Sequence, residues 1–283
     1  MKRWTAIASL CCLALLPLAL AADAGELTQT ERWYEQAMNG QKSGYFQVVW
    51  APSTWEGKKT VHDTTRVFTS TVRNMIGQMD RFTTTTQVDL ERAQDGTLWH
   101  QRLQVEEAGR VQFEELTWTG AGYDHVAGIV GEKQIEKHIP VGEPVKVDAE
   151  SYLGHLHRAG KLETGQAYDL RLLNVRAERV DVQKLEIVGM ESVTDETGEK
   201  IECVRVLQTD PRTKSTSTMW LDKDGAFVLI RDDAGHVIQR VTKSKAQAMP
   251  TKPAEMRITT PEMPQVERVF SADRQFIDLH VQG

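Results

Sequence analysis

Phe82-Thr83-Thr84-Thr85-Thr86-Gln87-Val88-Asp89-Leu90 alternates without a break. Phe82, Thr84, Thr86, Val88 and Leu90 share one face of an extended chain, and Thr83, Thr85, Gln87 and Asp89 share the other. A helix would scatter both sets around its axis, whereas a strand separates them, and β-branched residues suit the pleat. The same period recurs at Trp99–Leu103–Val105, Val111–Phe113, Leu185–Ile187, Val204–Val206 and Phe227–Leu229.

Turn signals punctuate these runs. Asn39-Gly40 lies between Trp33–Met38 and Gly44–Trp50 and predicts a type I′ hairpin, in which both central residues need positive φ. Asp95-Gly96, Gly120–Gly122, Thr197-Gly198, Asp224-Gly225 and Ala234-Gly235 repeat the pattern. Strands joined by tight turns are antiparallel. About a dozen strands, several of them longer than the usual five or six residues, must twist and curl. The expected fold is therefore mainly β: a large curved antiparallel sheet, a half-barrel or a barrel, with one short helix packed on it.

That helix is predicted over about 148–160. Ala149, Leu153, Leu156 and Ala159 have helical spacing, Asp148 can cap the start, and Gly160 stops the end. It separates strand sets over about 31–140 and 167–243 within a β-rich domain spanning 25–248. Pro250, Pro253, Pro261 and Pro264 mark 249–265 as an extended linker, and 266–283 reads as a last strand or a tail.

Residues 1–24 read as a signal peptide. Lys2 and Arg3 precede the apolar run Ala6–Leu20, and small residues follow at Ala19, Ala21, Ala22 and Ala24. The run is short of the roughly 20 residues that span a bilayer. A lipid anchor is the main rival, since Cys11 and Cys12 lie in the run. However, Leu10 stands where a lipoprotein signal wants a small residue. Cleavage after Ala24 removes two positive charges and one negative, taking the formal charge from −6 to −7. So acidic a chain, without a basic run, is a poor partner for nucleic acid or an anionic membrane surface. Cys203 is then the one cysteine left, so a hydrophobic core rather than a disulfide must hold the domain. The expected location is outside the cytoplasm, periplasmic or extracellular, with no transmembrane span after cleavage.

Three pieces occur in a suggestive order: Trp33-Tyr34 leading to Asn39-Gly40-Gln41-Lys42-Ser43-Gly44-Tyr45, then Trp220-Leu221-Asp222-Lys223-Asp224-Gly225, then Thr242-Lys243-Ser244-Lys245-Ala246. This order resembles the β-rich region that precedes the transglutaminase-like domain in some exported bacterial proteins. More loosely, the long strands and the second hairpin resemble the half-barrels of lipoprotein carrier proteins. The resemblance covers about residues 30–248 and implies a companion domain. The transglutaminase-like domain itself is absent, and Cys203, in an alternating strand, cannot stand for its catalytic cysteine.

Other motifs lead to no site. His155 and His157 point apart on a helix and have no acidic or cysteine neighbours, which argues against a metal. Gly154 and Gly160-Lys161 miss the phosphate-loop spacing, with Leu162 where Ser or Thr belongs. Asp222 and Asp224 precede Gly225 too closely for a calcium loop and fit a hairpin turn. Glu106-Glu107, Glu114-Glu115 and Asp232-Asp233 are neighbours that face opposite ways on a strand. No catalytic motif, metal site or cofactor is expected.

The sequence points first to an exported, non-enzymatic binding or accessory domain whose ligand it does not name. The partner would be a lipid or a cell-envelope protein. Two further readings remain open: a periplasmic carrier of lipid or acyl chains in a concave apolar groove, and a hydrolase with an unrecognised site. The groove reading selects Trp99, Trp118, Phe113 and Phe82 as ligand-binding residues. The plainer reading places these aromatics in the core beneath the helix.

Overall fold

The computed structural model describes residues 29–75, 78–107 and 109–248. The expected signal peptide, the proline-rich linker and the C-terminal 266–283 lie outside them.

Eight strands come first: β1 (Thr30–Met38), β2 (Gln41–Trp55), β3 (Lys58–Met75), β4 (Gln78–Arg92), β5 (Leu98–Glu107), β6 (Arg110–Trp118), β7 (Gly122–Ile129) and β8 (Ile135–Pro140). The helix α1 (Ala149–Arg158) follows. Six more strands complete the sheet: β9 (Ala167–Asn174), β10 (Arg179–Thr194), β11 (Lys200–Thr209), β12 (Thr216–Leu221), β13 (Phe227–Asp232) and β14 (His236–Val241). A second helix, α2 (Lys243–Gln247), ends the described chain. Asn39 and Gly40 take φ of 49° and 77°, the left-handed pair that a I′ hairpin requires.

All fourteen strands form one sheet, ordered β8 to β1 and then β14 to β9. Each half is an up-and-down meander, and β1 pairs antiparallel with β14 to join them. The sheet does not close: β8 and β9, on either side of α1 in sequence, are its two edges. The open form is the one realised.

Register defines the inner face. One transverse row runs Tyr34, Phe46, Val67, Thr86, Val105, and a second runs Trp50, Asp63, Leu90, Gln101, Leu116, His125. In the other half Ile238, Ile230, Met219, Val206 and Ile187 form a matching row. The main core packs these halves together. Tyr34, Val48, Trp50 and Val61 meet Leu170, Leu185, Ile187, Val206, Met219 and Leu221, with Leu153 of α1 among them.

A second core shows that the sheet rolls over itself. Leu173 and Val180 face each other across β9 and β10, on the side opposite Leu170 and Leu185. This reverse face packs against the inner-face residues Leu98, Leu116 and Tyr123. Residues 145–147 stitch the overlap. Leu98 N donates to Val145 O and Val147 N to Gly96 O, while Lys146 N donates to Arg171 O of the edge strand β9.

The helix plugs one end of the roll. Asp148 caps it by accepting from Ser151 N at 2.7 Å, as its sequence predicts. Val147 ties its start to the β4–β5 turn, and Glu150 accepts from Phe227 N at 3.0 Å just past the β12–β13 turn. Gly154 lies so close to Gly225 that a Cβ on Gly225 would stand 2.6 Å from the Gly154 Cα. The short α2 is unforeseen, because five residues with only Ala246 buried show no readable period. It covers Trp33 on the outer face, and Lys42 Nζ donates to the carbonyls of Lys245, Ala246 and Ala248.

Gly225 combines that close approach with φ of 75°. Gly225→Ala should therefore cost at least about 2 kcal/mol, from left-handed strain plus overpacking. Gly198→Ala has φ of 88° but open space around it and should cost only the strain, about 1 kcal/mol. Urea denaturation of the two variants checks the difference.

Candidate functional site

Charge lies inside the roll, beneath the N-terminal turn of α1. Asp63 and Arg92 extend the inner-face alternation of β3 and β4, so the strand period carries both to the interior. Arg92 Nε donates to Asp63 Oδ2 at 2.5 Å and Nη2 to Oδ1 at 3.3 Å, with both side chains 3% exposed. Arg32 of β1 lies over the Trp50 ring at 4.5 Å, and Arg92 lies over the same ring at 5.4 Å. The Glu150 carboxylate is 3.9 Å from Arg32 Nη1. That nitrogen is buried and has no hydrogen-bond partner among the described residues.

Titration in this cluster follows from burial. Burial, reinforced by the Asp148 charge, pushes the Glu150 carboxyl up to about 7 despite Arg32 and the Phe227 amide. Burial also pushes Asp63 up, outweighing Arg92. Burial and the guanidiniums of Arg92 and Arg32 pull Arg158 down. Its side chain reaches the Asp224 carbonyl at 3.4 Å.

Beside the charged floor is an apolar wall. Phe46, Val67, Val88, Leu103 and Val105 all lie on the inner face and are all half-buried. Phe46 stacks on Tyr34 at 4.6 Å at the margin of the main core. Val67, Val88, Leu103 and Val105 belong to none of the core clusters. Arg32, Val48, Thr65, Val88 and Leu103 form one continuous transverse row, so the floor and the wall adjoin.

The four aromatics selected from sequence are not brought together. Trp118 packs edge-on against Tyr123 at 5.1 Å in the second core. Phe113 is on the opposite face of β6, with Arg102 at 5.9 Å from its ring. Trp99 is the extra residue of a β-bulge, where His100 faces Glu91 but Leu98 faces Arg92. Its ring lies 4.4 Å from Lys58 Nζ. Phe82 pairs with Thr71 in β4, and its side chain lies outside the described residues. The aliphatic wall carries a fainter sequence signal than the rings, since Val and Leu at alternating positions occur in any half-buried strand. Its signal was the alternation itself, and the charged floor announced itself as Arg92 two places after Leu90.

On the outer face, Glu91 accepts from Thr60 at 2.7 Å and Ser53 at 3.2 Å and bonds His62 Nδ1 at 2.8 Å. His62 Nε2 is 3.3 Å from Thr64 Oγ1, in the order of an acid–base–hydroxyl relay. The Thr64 hydroxyl donates to Asp89 at 2.8 Å instead, which commits the proton that such a relay would move. Among the described residues, no group of three or more His, Cys, Asp or Glu is placed to hold a metal ion. Asp222 accepts from Asp224 N and Ala226 N and pairs with Arg240, the work of a turn. No helix among the described residues is long and apolar enough to cross a membrane.

No family model matches this chain. No curated protein matches it either. Among solved structures it is similar to a β-barrel-like protein of the domain of unknown function DUF1849 from Brucella abortus. The identity is 12%, 76% of this chain and 95% of that one are covered, and the TM-score is 0.47. It is also similar to a DUF1089 family protein from Pseudomonas aeruginosa. There the identity is 14%, with 80% of this chain and 95% of that one covered, at a TM-score of 0.34.

Two outcomes follow from the buried groups. Glu150 holds its proton in the folded state up to about pH 7 but releases it near pH 4.3 when unfolded. The fold therefore binds more protons between these values, and Glu150's contribution to stability falls as pH rises through that window. From pH 5 to pH 8 the wild type should lose on the order of 2 kcal/mol more than Glu150→Gln in urea titrations. Cys203 is fully buried, and burial pushes its thiol up to about 11. Its labelling by a maleimide in native buffer should run at the rate of unfolding; rapid labelling would contradict the burial.

Proposed function

We propose that this chain is an exported binding domain without catalytic machinery, and that its ligand is an apolar molecule seated on the inner wall. The observation that carries the reading is the half-buried patch Val67, Val88, Leu103 and Val105, from two neighbouring rows of the inner face and outside every core cluster. A monomer gains by covering aliphatic surface, at about 25 cal/mol per Å². A wall left partly uncovered, beside a floor of fixed charges, has the composition of a small-molecule site: mostly apolar with a few polar anchors. Export rests on the N-terminal pattern of Lys2, Arg3 and the apolar run Ala6–Leu20. The acyl-carrier reading is the specific form of this proposal and draws on the same wall.

Dodecanol added to the purified domain should give a saturable change in tryptophan fluorescence. Leu103→Asp should abolish the change with little effect on the circular dichroism spectrum, because Leu103 is half-buried and outside the cores. A wild type with no saturable signal, together with a clean unliganded mass in a native spectrum of protein from its own host, would overturn the reading.

A further inference from the structure

We infer that the charged floor is an anion site, and that it reads the single negative headgroup of an amphiphile whose chain lies along the apolar wall. The inference rests on the binding reading above and adds the class of the ligand.

Two guanidiniums, Arg32 and Arg92, line this floor, and the exposed Arg158 at the far end of α1 feels the charge of both. Their partners are unequal. Arg92 has a carboxylate, Asp63, bound through two nitrogens. Arg158 reaches only a peptide carbonyl, that of Asp224. Arg32 has Glu150 at 3.9 Å, beyond hydrogen-bond length, and its buried Nη1 is unsatisfied. The Glu150 carboxylate is already engaged by the Phe227 amide. A buried guanidinium nitrogen without an acceptor costs the desolvation of a charged donor and demands an explanation. The Trp50 ring, 4.5 Å from the guanidinium carbon, gives Arg32 a cation–π contact but no oxygen acceptor. A carboxylate or a phosphate monoester supplies acceptor oxygens in the geometry that a guanidinium binds best.

The raised carboxyls of Glu150 and Asp63 add to the case. When either is protonated, one of the carboxylates facing Arg32 and Arg92 loses its charge, and the nearby Asp148 charge remains. The row from Arg32 through Val48 and Thr65 to Val88 crosses three strand spacings, roughly 14 Å. An alkyl chain of ordinary length can therefore span from a headgroup at Arg32 to Val88 and Leu103, passing beside Val48, which is buried in the main core. Glu150 is the competitor that an incoming anion must displace or find protonated.

Calorimetric titration with dodecanoate, dodecyl phosphate and dodecanol separates the possibilities. Dodecanoate or dodecyl phosphate should bind at least tenfold tighter than dodecanol, and the tighter of the two identifies the headgroup. Arg32→Met should bring that ligand down to the affinity of dodecanol, while Arg110→Met, at an exposed pair with Glu132, should bind like the wild type. Glu150→Gln should tighten the anionic ligand and leave dodecanol unchanged, which tests the site even if Arg32→Met fails to fold. Equal affinities for all three amphiphiles, unmoved by Glu150→Gln, would leave the apolar wall standing and overturn the anion site. Binding of none of them would overturn the wall reading, and this inference with it.

Discussion

Val145, Lys146 and Val147 hold the roll shut. An unclosed sheet of fourteen strands has two free edges and an inner face it must cover, and these three residues address both demands. On one side they ladder with Gly96 and Leu98, and on the other Lys146 N bonds Arg171 O on edge strand β9. The side chain of Lys146 adds bonds to Asp95 at 2.7 Å and Thr97 at 2.9 Å. Tyr123 completes the joint. Its hydroxyl, fully buried, donates to Leu98 O at 3.0 Å and accepts from Val145 N at 3.1 Å. Each buried polar group there has a partner, so the seam avoids the desolvation penalty that would otherwise open it.

From that seam the rest follows. With β9 tied to the β4–β5 turn, the reverse face of the β9–β10 hairpin is driven onto Leu98, Leu116 and Tyr123. The chain that makes the stitch runs directly into α1, so the helix has nowhere to go but across the open end. There Gly154 and Gly225 let two backbones meet. The Asp63–Arg92 pair sits behind this plug. Two buried charges repay their desolvation only with close geometry and further bonds, so such a pair is better read as specifying an arrangement than as adding stability. Here it fixes β3 against β4 at the level where Trp50, Arg32 and the helix converge.

The strand pattern was legible because alternation with a period of two is a local property. Phe82 to Leu90, the turns at Asn39-Gly40 and Asp224-Gly225, and the Asp148 cap all lie in β4, in hairpins and in α1 as their residues predict. Closure was not legible, since whether β8 meets β9 depends on pairings between residues far apart in sequence. Which aromatics share a surface was not legible for a similar reason. Trp99, Phe113 and Trp118 are alike in type, yet the bulge at Trp99 and the opposite parities of Phe113 and Trp118 send them to different surroundings. Arg32, Asp63 and Arg92 stood at apolar positions of an alternating pattern. A charge in such a place is a stronger sign of a special interior than any aromatic.

The location of the uncovered wall is a consequence of the roll. The inner faces of β1 to β3 near the helix are covered by β9 to β13 through the main core. The inner faces of β5 to β7 near the seam are covered by the β9–β10 hairpin. Between these two patches, and farther from the plug, Val67, Val88, Leu103 and Val105 have no opposing layer in either core. A closed barrel would have covered them with its own far wall, and a flat sandwich with a second sheet. An overlapping roll leaves a strip between its two contacts. The charged floor closes the strip at the helix end, so the strip is mostly aliphatic along its length and carries paired charges at one end. That polarity is built into the register: the row that holds Val88 and Leu103 ends, three and four strands away, at Arg32.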